Sequence, residues 1–285
     1  MRERVASGTT RRTGVADLER KARILRCHII RMLCTAGSGH PGGALSSADI
    51  VAALFFRHLK HHPSEPDWPD RDRFILSKGH SAPLLYAALA ECGYFPVAEL
   101  KTLRKINSRL QGHPHMRKTP GVEASTGSLG QGLSIGCGMA LGARLNKRKY
   151  RVHVLLGDGE LQEGQIWEAA MFASHYRLSN LVAIVDLNRL QVDGPTNRVM
   201  SLDPLPDKWK AFGWRCIIIN GHDMRQILST LAEAEQEHKR PVVILAETVK
   251  GKGVSFMENQ VDWHGRVPNA EETARALDEL SGTRS

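Results

Sequence analysis

The sequence lacks the features that mark several large classes of protein. Its five cysteines, Cys27, Cys34, Cys92, Cys137 and Cys216, show no C-x-x-C spacing. An odd count without a motif reads as reduced thiols packed as small hydrophobes rather than a disulfide framework. No apolar stretch approaches the roughly 18 residues of a membrane-spanning helix, and the first residues have no apolar signal-peptide core. Internal repeats and low-complexity linkers are also missing. One domain over residues 15–270 is therefore expected, between a disordered tail (1–14) and a C-terminal helix and tail (271–285). The opening MRERVASGTTRRTG is Arg-rich, but Glu3 and the absence of an apolar face favour a tail over a transit peptide. The expected location is cytoplasmic.

What is present has an ordinary globular composition. With 285 residues, 41% hydrophobic and 24% charged, the chain can bury a substantial core. Its formal net charge of +9 invites a nucleic-acid reading. Part of that charge comes from the tail, where four Arg against one Glu give +3. The rest is scattered: the basic run NKRKYR (146–151) holds one aromatic, and no nucleic-acid module is visible. A solvated basic surface is expected, with neither nucleic acid nor membrane as partner.

Residues 16–36 carry helical periodicity in Leu18, Ala22, Leu25, Ile29, Met32 and Leu33, stopped by Gly37. A turn over SGHPGG (38–43) and a helix from about Ser46 to Leu59 follow. His61 and His62, in a Pro-rich loop, are expected to be solvated. RFILS (73–77) reads as a strand, Leu84–Cys92 as a helix, and 129–145 as a Gly- and Ala-rich helix suited to close backbone packing. The second half alternates strands (Val152–Leu156, Leu181–Leu187, Ile217–Ile219, Val242–Ala246) with helices (163–177, 223–238). Continuously apolar strands joined by amphipathic helices predict an α/β fold, with a parallel sheet covered by helices on both faces. In such sheets ligands bind beyond the carboxyl ends of the strands.

Two such ends carry oxygen donors. Asp158 lies within Gly157-Asp158-Gly159, and Asn188 follows the next strand, thirty residues later. One carboxylate, one amide oxygen, one backbone carbonyl and two phosphate oxygens would leave Mg²⁺ one position for water. Gly157 and Gly159 let the backbone approach phosphate, and the helix start beyond favours negative charge. A lone GDG is mostly an Asp-Gly turn. The pair, with βαβ connectivity, is far less easily accidental.

GDGELQEG with VDLNRLQVDG resembles the thiamine-diphosphate motif. More narrowly, the chain resembles the N-terminal, pyrophosphate-binding part of transketolases. The resemblance is carried by GSGHPGGALS (37–46), DRFILSKGHSAPLLYAAL (72–89), GHP (112–114), STGSLGQGLSIGCGMA (125–140) and KGKGVSFMEN…WHG (250–265). It implies a thiamine-diphosphate-binding pyrophosphate domain, with Asp158, Asn188 and the Leu190 carbonyl as ligands of Mg²⁺ (or of Ca²⁺ or Mn²⁺). It also implies Gly127 and Leu129 along the cofactor, and Gly159 on the diphosphate through its amide. Glu163 and, less firmly, Glu168 would join an acidic network between the two sites of a dimer, although carboxylates at a helix start are favourable in any case. Lys250 and Lys252 stay outside the expected core site.

Of thirteen histidines, four stand out by context, each with Gly or Pro beside it, which can aim a side chain from an irregular edge into a cleft. They are His40, His80, His113 and His264. Imidazole suits chemistry that moves protons on sugar hydroxyls and carbonyls near neutral pH. The resemblance implies that all four line the substrate channel; His40 and His264 are the candidates for proton transfer at the donor carbonyl oxygen.

Complete transketolases are more than twice as long. The expectation is therefore a split enzyme in which a separate pyrimidine-binding C-terminal subunit completes the site, as a heterotetramer with the cofactor at the interface. The reaction implied is transfer of a two-carbon ketol unit from a ketose or ketose phosphate to an aldehyde. The alternatives are a thiamine-diphosphate enzyme using a 2-oxoacid or a specialised biosynthetic donor, and a non-catalytic binding subunit.

Overall fold

The computed structural model of the chain describes residues 13–282. The expected N-terminal tail falls almost wholly outside them, as do the last three residues of the expected C-terminal tail. α1 (Val15–Ala36) buries Leu18, Ala22, Leu25, Ile29 and Leu33 along one face. Gly37 ends it at φ 64°, donating its N–H to Leu33 and Cys34 carbonyls, a left-handed cap that suits a residue without Cβ.

The next segment corrects the sequence reading. Instead of a turn through Gly43 and one helix from Ser46 to Leu59, α2 (Gly42–Ser46) starts directly behind Pro41. α3 (Ala48–Ala53) then runs into a π turn over Leu54–His58. Gly42 is here for close packing: a Cβ on it would lie 2.9 Å from Lys250 Cγ and from the Trp263 carbonyl. His61 is a second correction, since it is half-buried rather than solvated. Its ring meets the Phe55 carbonyl at 2.8 Å and the Tyr94 hydroxyl at 3.1 Å, and stacks on Tyr94. His62 is exposed, as expected.

β1 (Arg73–Leu76), α4 (Ala82–Cys92), α5 (Gln131–Leu145), β2 (Val152–Gly157), α6 (Gly164–His175) and β3 (Leu181–Leu187) follow close to their expected bounds. Between Leu187 and Ile217, where the sequence reading places no element, lie the small hairpin β4 (Leu190–Gln191) and β5 (Gly194–Pro195), then α7 (Thr196–Val199) and α8 (Leu205–Ala211). β6 (Arg215–Asn220), α9 (Met224–Glu235), β7 (Val242–Glu247) and α10 (Ala270–Ser281) complete the described chain. α10 packs on α1 through Ala276 and Leu280.

The main sheet is wholly parallel, in the order β1-β2-β3-β7-β6. Successive side chains point to opposite faces, so each strand feeds two cores. Phe74, Leu76, Leu155, Val182, Ile184 and Ile244 pack on the side of α1, α3, α4 and α9. Ile75, Val154, Leu156, Ala183, Val185 and Leu245 pack on the side of α5, α6 and α8. Burial on both faces is why the strands read as unbroken apolar runs. In register, Gly157 sits beside Asp186 and Asp186 beside Ala246, so Asp158, Asn188 and Thr248 emerge together past the carboxyl edge. All five cysteines are free, with Cys137 buried and the others half-buried. No described helix is long and apolar enough to cross a membrane.

Candidate active site

A cavity of about 610 Å³ opens at the carboxyl edge of β1, β2, β3 and β7. His40, His80, His113, His264, Gly127, Leu129, Gly157, Asp158, Gly159, Glu163, Asn188 and Leu190 all line it. The residues singled out from scattered motifs thus meet in one place. Glu168 does not line the cavity and is exposed on α6.

Its floor is built from hard oxygen donors. Asp158 is 2% exposed and accepts the N–H of Gly159 at 2.8 Å and the N–H of Arg189. Burial, followed by the neighbouring Asp186, raises its pKa to about 6, against the pull of those two N–H groups and Lys250. Such a carboxylate gains from a cation. Asn188 Oδ1 accepts the Leu190 N–H at 3.1 Å, and the Leu190 carbonyl accepts from Lys250 Nζ at 2.9 Å. Burial lowers the Lys250 pKa to about 8, with Asp158 and Asp186 opposing the fall. Lys250, left outside the expected site, therefore places an ammonium against one of the three expected metal ligands. Among the described residues, no cluster of three or more His, Cys, Asp and Glu is arranged to hold a metal. The mixed set of carboxylate, amide and backbone oxygen is the one that suits Mg²⁺ or Ca²⁺.

Three further charged residues escape the sequence reading. Asp186 and Lys78 form a buried ion pair at 2.6 Å. Glu160 is 3% exposed and accepts the Ser77 hydroxyl, the Gly130 N–H at 2.9 Å and the Gly157 N–H at 3.0 Å, tying together the ends of β1 and β2 and the start of α5. A signal was available for Asp186: it is a lone charge in the apolar run LVAIVDL, and a charge buried there needs a partner.

The four histidines line the same cavity, His264 within reach of the lysine that meets the Leu190 carbonyl. Ring centroids of His40, His80 and His264 lie 5.2–5.6 Å apart in all three pairings. Glycine makes this convergence possible. A Cβ on Gly79 would stand 2.7 Å from the Gly127 nitrogen, and Gly127, at φ 149°, passes close against the His113 ring. Burial lowers the pKa of all four histidines, with nearby cations adding to the effect: Arg104 at His113, Arg104 and Lys250 at His40, Lys78 at His80. His264 falls to about 3, through burial and then Lys250. All four are therefore neutral imidazoles at pH 7. His40 Nδ1 is buried without a partner among the described residues, while His264 Nδ1 lies 2.8 Å from Lys250 Nζ. An ammonium only donates, so His264 Nδ1 accepts and the ring proton sits on Nε2.

A family profile described as the thiamine diphosphate binding domain of transketolase matches residues 18–283. The chain is 45% identical to the 6-deoxy-6-sulfo-D-fructose transketolase subunit SqwG of a Clostridium species, covering 93% of this chain and 96% of that one. It is 43% identical to an apulose-4-phosphate transketolase subunit of Phocaeicola vulgatus, covering 94% and 95%. The fold superposes on the crystal structure of transketolase from Campylobacter jejuni with a TM-score of 0.88 at 34% identity, covering 93% of this chain and 42% of that one. The chain thus spans about two fifths of that solved transketolase.

Proposed function

The chain belongs to the transketolase family through its thiamine-diphosphate-binding domain, and on that premise we propose that it is the diphosphate-holding subunit of a two-chain transketolase. The enzyme would move a two-carbon ketol unit from a ketose or ketose-phosphate donor to an aldehyde acceptor. The observation that carries this reading is one cavity lined both by three oxygen donors of Mg²⁺ type and by three clustered neutral histidines.

The residues present fit the cofactor and its metal. Asp158, Asn188 Oδ1 and the Leu190 carbonyl would hold Mg²⁺, with Ca²⁺ or Mn²⁺ able to replace it, and Gly157 and Gly159 would let the backbone approach the diphosphate. Lys250 supplies a buried cation beside them. When bound, thiamine diphosphate supplies the carbon nucleophile and electron sink for breaking and making a bond next to a carbonyl. Gly127 and Leu129 would lie along the cofactor. His264 offers its Nε2–H as a donor, and His40 keeps an unpartnered ring nitrogen. We assign these two to proton transfer at the donor carbonyl oxygen. His80 and His113 would bind donor hydroxyls. Because burial keeps all four uncharged, each can both accept and donate a hydrogen bond at neutral pH.

The split-subunit reading is supported by near-complete coverage of two relatives that are themselves named as transketolase subunits. A second chain would bring the pyrimidine-binding domain, in a cytoplasmic heterotetramer. Glu163, exposed at the N-cap of α6 and lining the cavity, would meet a neighbouring subunit. We take residues 15–270 as the domain, with the C-terminal helix attached to it.

Asp158→Ala tests the site directly. Mg²⁺-dependent binding of thiamine diphosphate, followed by calorimetry, should be abolished while circular dichroism shows the fold intact. Undiminished binding would remove the metal assignment.

A further inference from the structure

Resting on that metal reading, we propose that Asp186 is the positioning residue of the site: it fixes which end of the Asn188 amide is presented to the cation. Asp186 lies near the end of β3 and is 0% exposed. Four donors converge on it from four segments. Ser46 Oγ and Lys78 Nζ reach Oδ2 at 2.6 Å, Asn188 Nδ2 reaches the same oxygen at 2.9 Å, and the Thr248 hydroxyl donates to Oδ1. Lys78 is fully committed there. Its other two hydrogens go to the Gly43 carbonyl and to Ser47 Oγ, both at 2.7 Å.

The lysine and the amide nitrogen can only donate, and both donate to Oδ2, so that atom must be an acceptor; a carboxylate oxygen supplies it and leaves Oδ1 for the Thr248 hydroxyl. The consequence falls on Asn188. Its nitrogen must face Asp186, so its oxygen faces away, where the Leu190 N–H meets it at 3.1 Å. A reversed amide would set oxygen against carboxylate oxygen and NH₂ against N–H, two repulsive contacts in a buried place. The oxygen is thus turned toward the ligand position before any cation arrives. One lone pair lies on Leu190 and the second remains for the metal. Outer groups that orient metal ligands in this way typically contribute roughly 10- to 100-fold in metal affinity.

The test is Mn²⁺ binding to the full chain at saturating thiamine diphosphate, read from the electron paramagnetic resonance signal of free Mn²⁺. Asp186→Ala removes the acceptor that holds the Asn188 nitrogen and should raise the Mn²⁺ Kd by roughly 10- to 100-fold. A purely structural Asp186 would instead lower the melting temperature of the metal-free chain and leave the Mn²⁺ Kd unchanged. That outcome overturns the proposal. If Asp186→Ala does not fold, Asp186→Ser, which keeps a polar group but is too short to reach the Asn188 nitrogen, takes its place. A severalfold rise in Kd then supports the proposal and an unchanged Kd overturns it. Failure of the wild-type chain to bind Mn²⁺ would remove the metal reading itself, and this proposal with it.

Discussion

His264 joins a Gly-flanked position that was visible in the sequence to a constraint visible only in the fold, the Lys250 ammonium on its Nδ1. If it donates to the donor carbonyl oxygen, His264→Ala should lower kcat about 100-fold or more, the usual range for a positioned acid or base. Thiamine diphosphate affinity should change far less. Steady-state kinetics of the two-chain enzyme beside cofactor titration would separate these effects, and an unaltered kcat would take His264 out of the reaction. Asp49 carries a different burden. Burial raises its pKa, but Arg26 at 2.6 Å and then His222 more than reverse this, holding it at about 2. A depressed carboxylate stabilises the fold above its unfolded pKa, and the contribution is lost as pH falls toward the folded value. For Asp49 that window runs from 3.8 down to about 2, with roughly 2 kcal/mol at stake. Asp49→Asn should therefore cost about 3–5 kcal/mol at pH 7, by leaving Arg26 buried and unpaired. Its deficit should shrink by roughly 2 kcal/mol across that window. Thermal melts at stepped pH would show it; a constant deficit would mean that the ion pair is not what Asp49 contributes. Glycine and proline flanks made the site histidines legible, because irregular backbone is written locally. Lys78 and Glu160 were not, because what marks them is burial against partners distant in the chain, and Asp186 was marked only by its lone charge in an apolar run.

α5 shows how the same residue type acts oppositely at different points of one helix. A Cβ on Gly132 would stand 2.3 Å from Ser77 Oγ and 2.8 Å from Ser77 Cα, and Ser77 holds Glu160 at the cavity floor. Around Gly138 there is nothing within 4 Å. Gly132→Ala should therefore destabilise the chain by about 1–3 kcal/mol through overpacking. Gly138→Ala should stabilise it by about 0.4–1 kcal/mol, since a helical glycine carries more unfolded-state entropy than alanine. Melting temperatures of the two variants should move in opposite directions, and parallel shifts would contradict the packing of α5 on β1. The sequence's Gly-rich pattern announced a closely packed helix but not which glycines are pressed. That depends on the strand alongside. The same limit explains α2, whose glycines read as a turn until Lys250 and Trp263 are seen against them. Strands and long helices kept their expected bounds because their periodicity is local and repeated. The short elements between Leu187 and Ile217 had no periodicity to read.

At the scale of the whole molecule the site is bordered by apolar side chains exposed to solvent. Val192 is 59% exposed and Met200 61%, and both line the same cavity as Asp158. Exposed single apolar residues are common, but two at the rim of a polar, charged site mark a surface that gains from being covered. A second chain covering this rim would exclude water from the histidine cluster, where proton transfer to a carbonyl oxygen needs a dry site. The chain alone should therefore show no ketol transfer. Tagged and recovered from native extract with thiamine diphosphate and Mg²⁺, it should bring down a second polypeptide in stoichiometric amount, and the mixture should be active. Val192→Asp with Met200→Glu should weaken that recovery while leaving the melting temperature of the isolated chain within about 1 °C, as expected for surface changes of under roughly 0.5 kcal/mol. Turnover by the purified chain alone would refute the shared site. Recovery undiminished by the double substitution would place the partner elsewhere, and the water-excluding role of this rim would then have to fall to this chain's own loops.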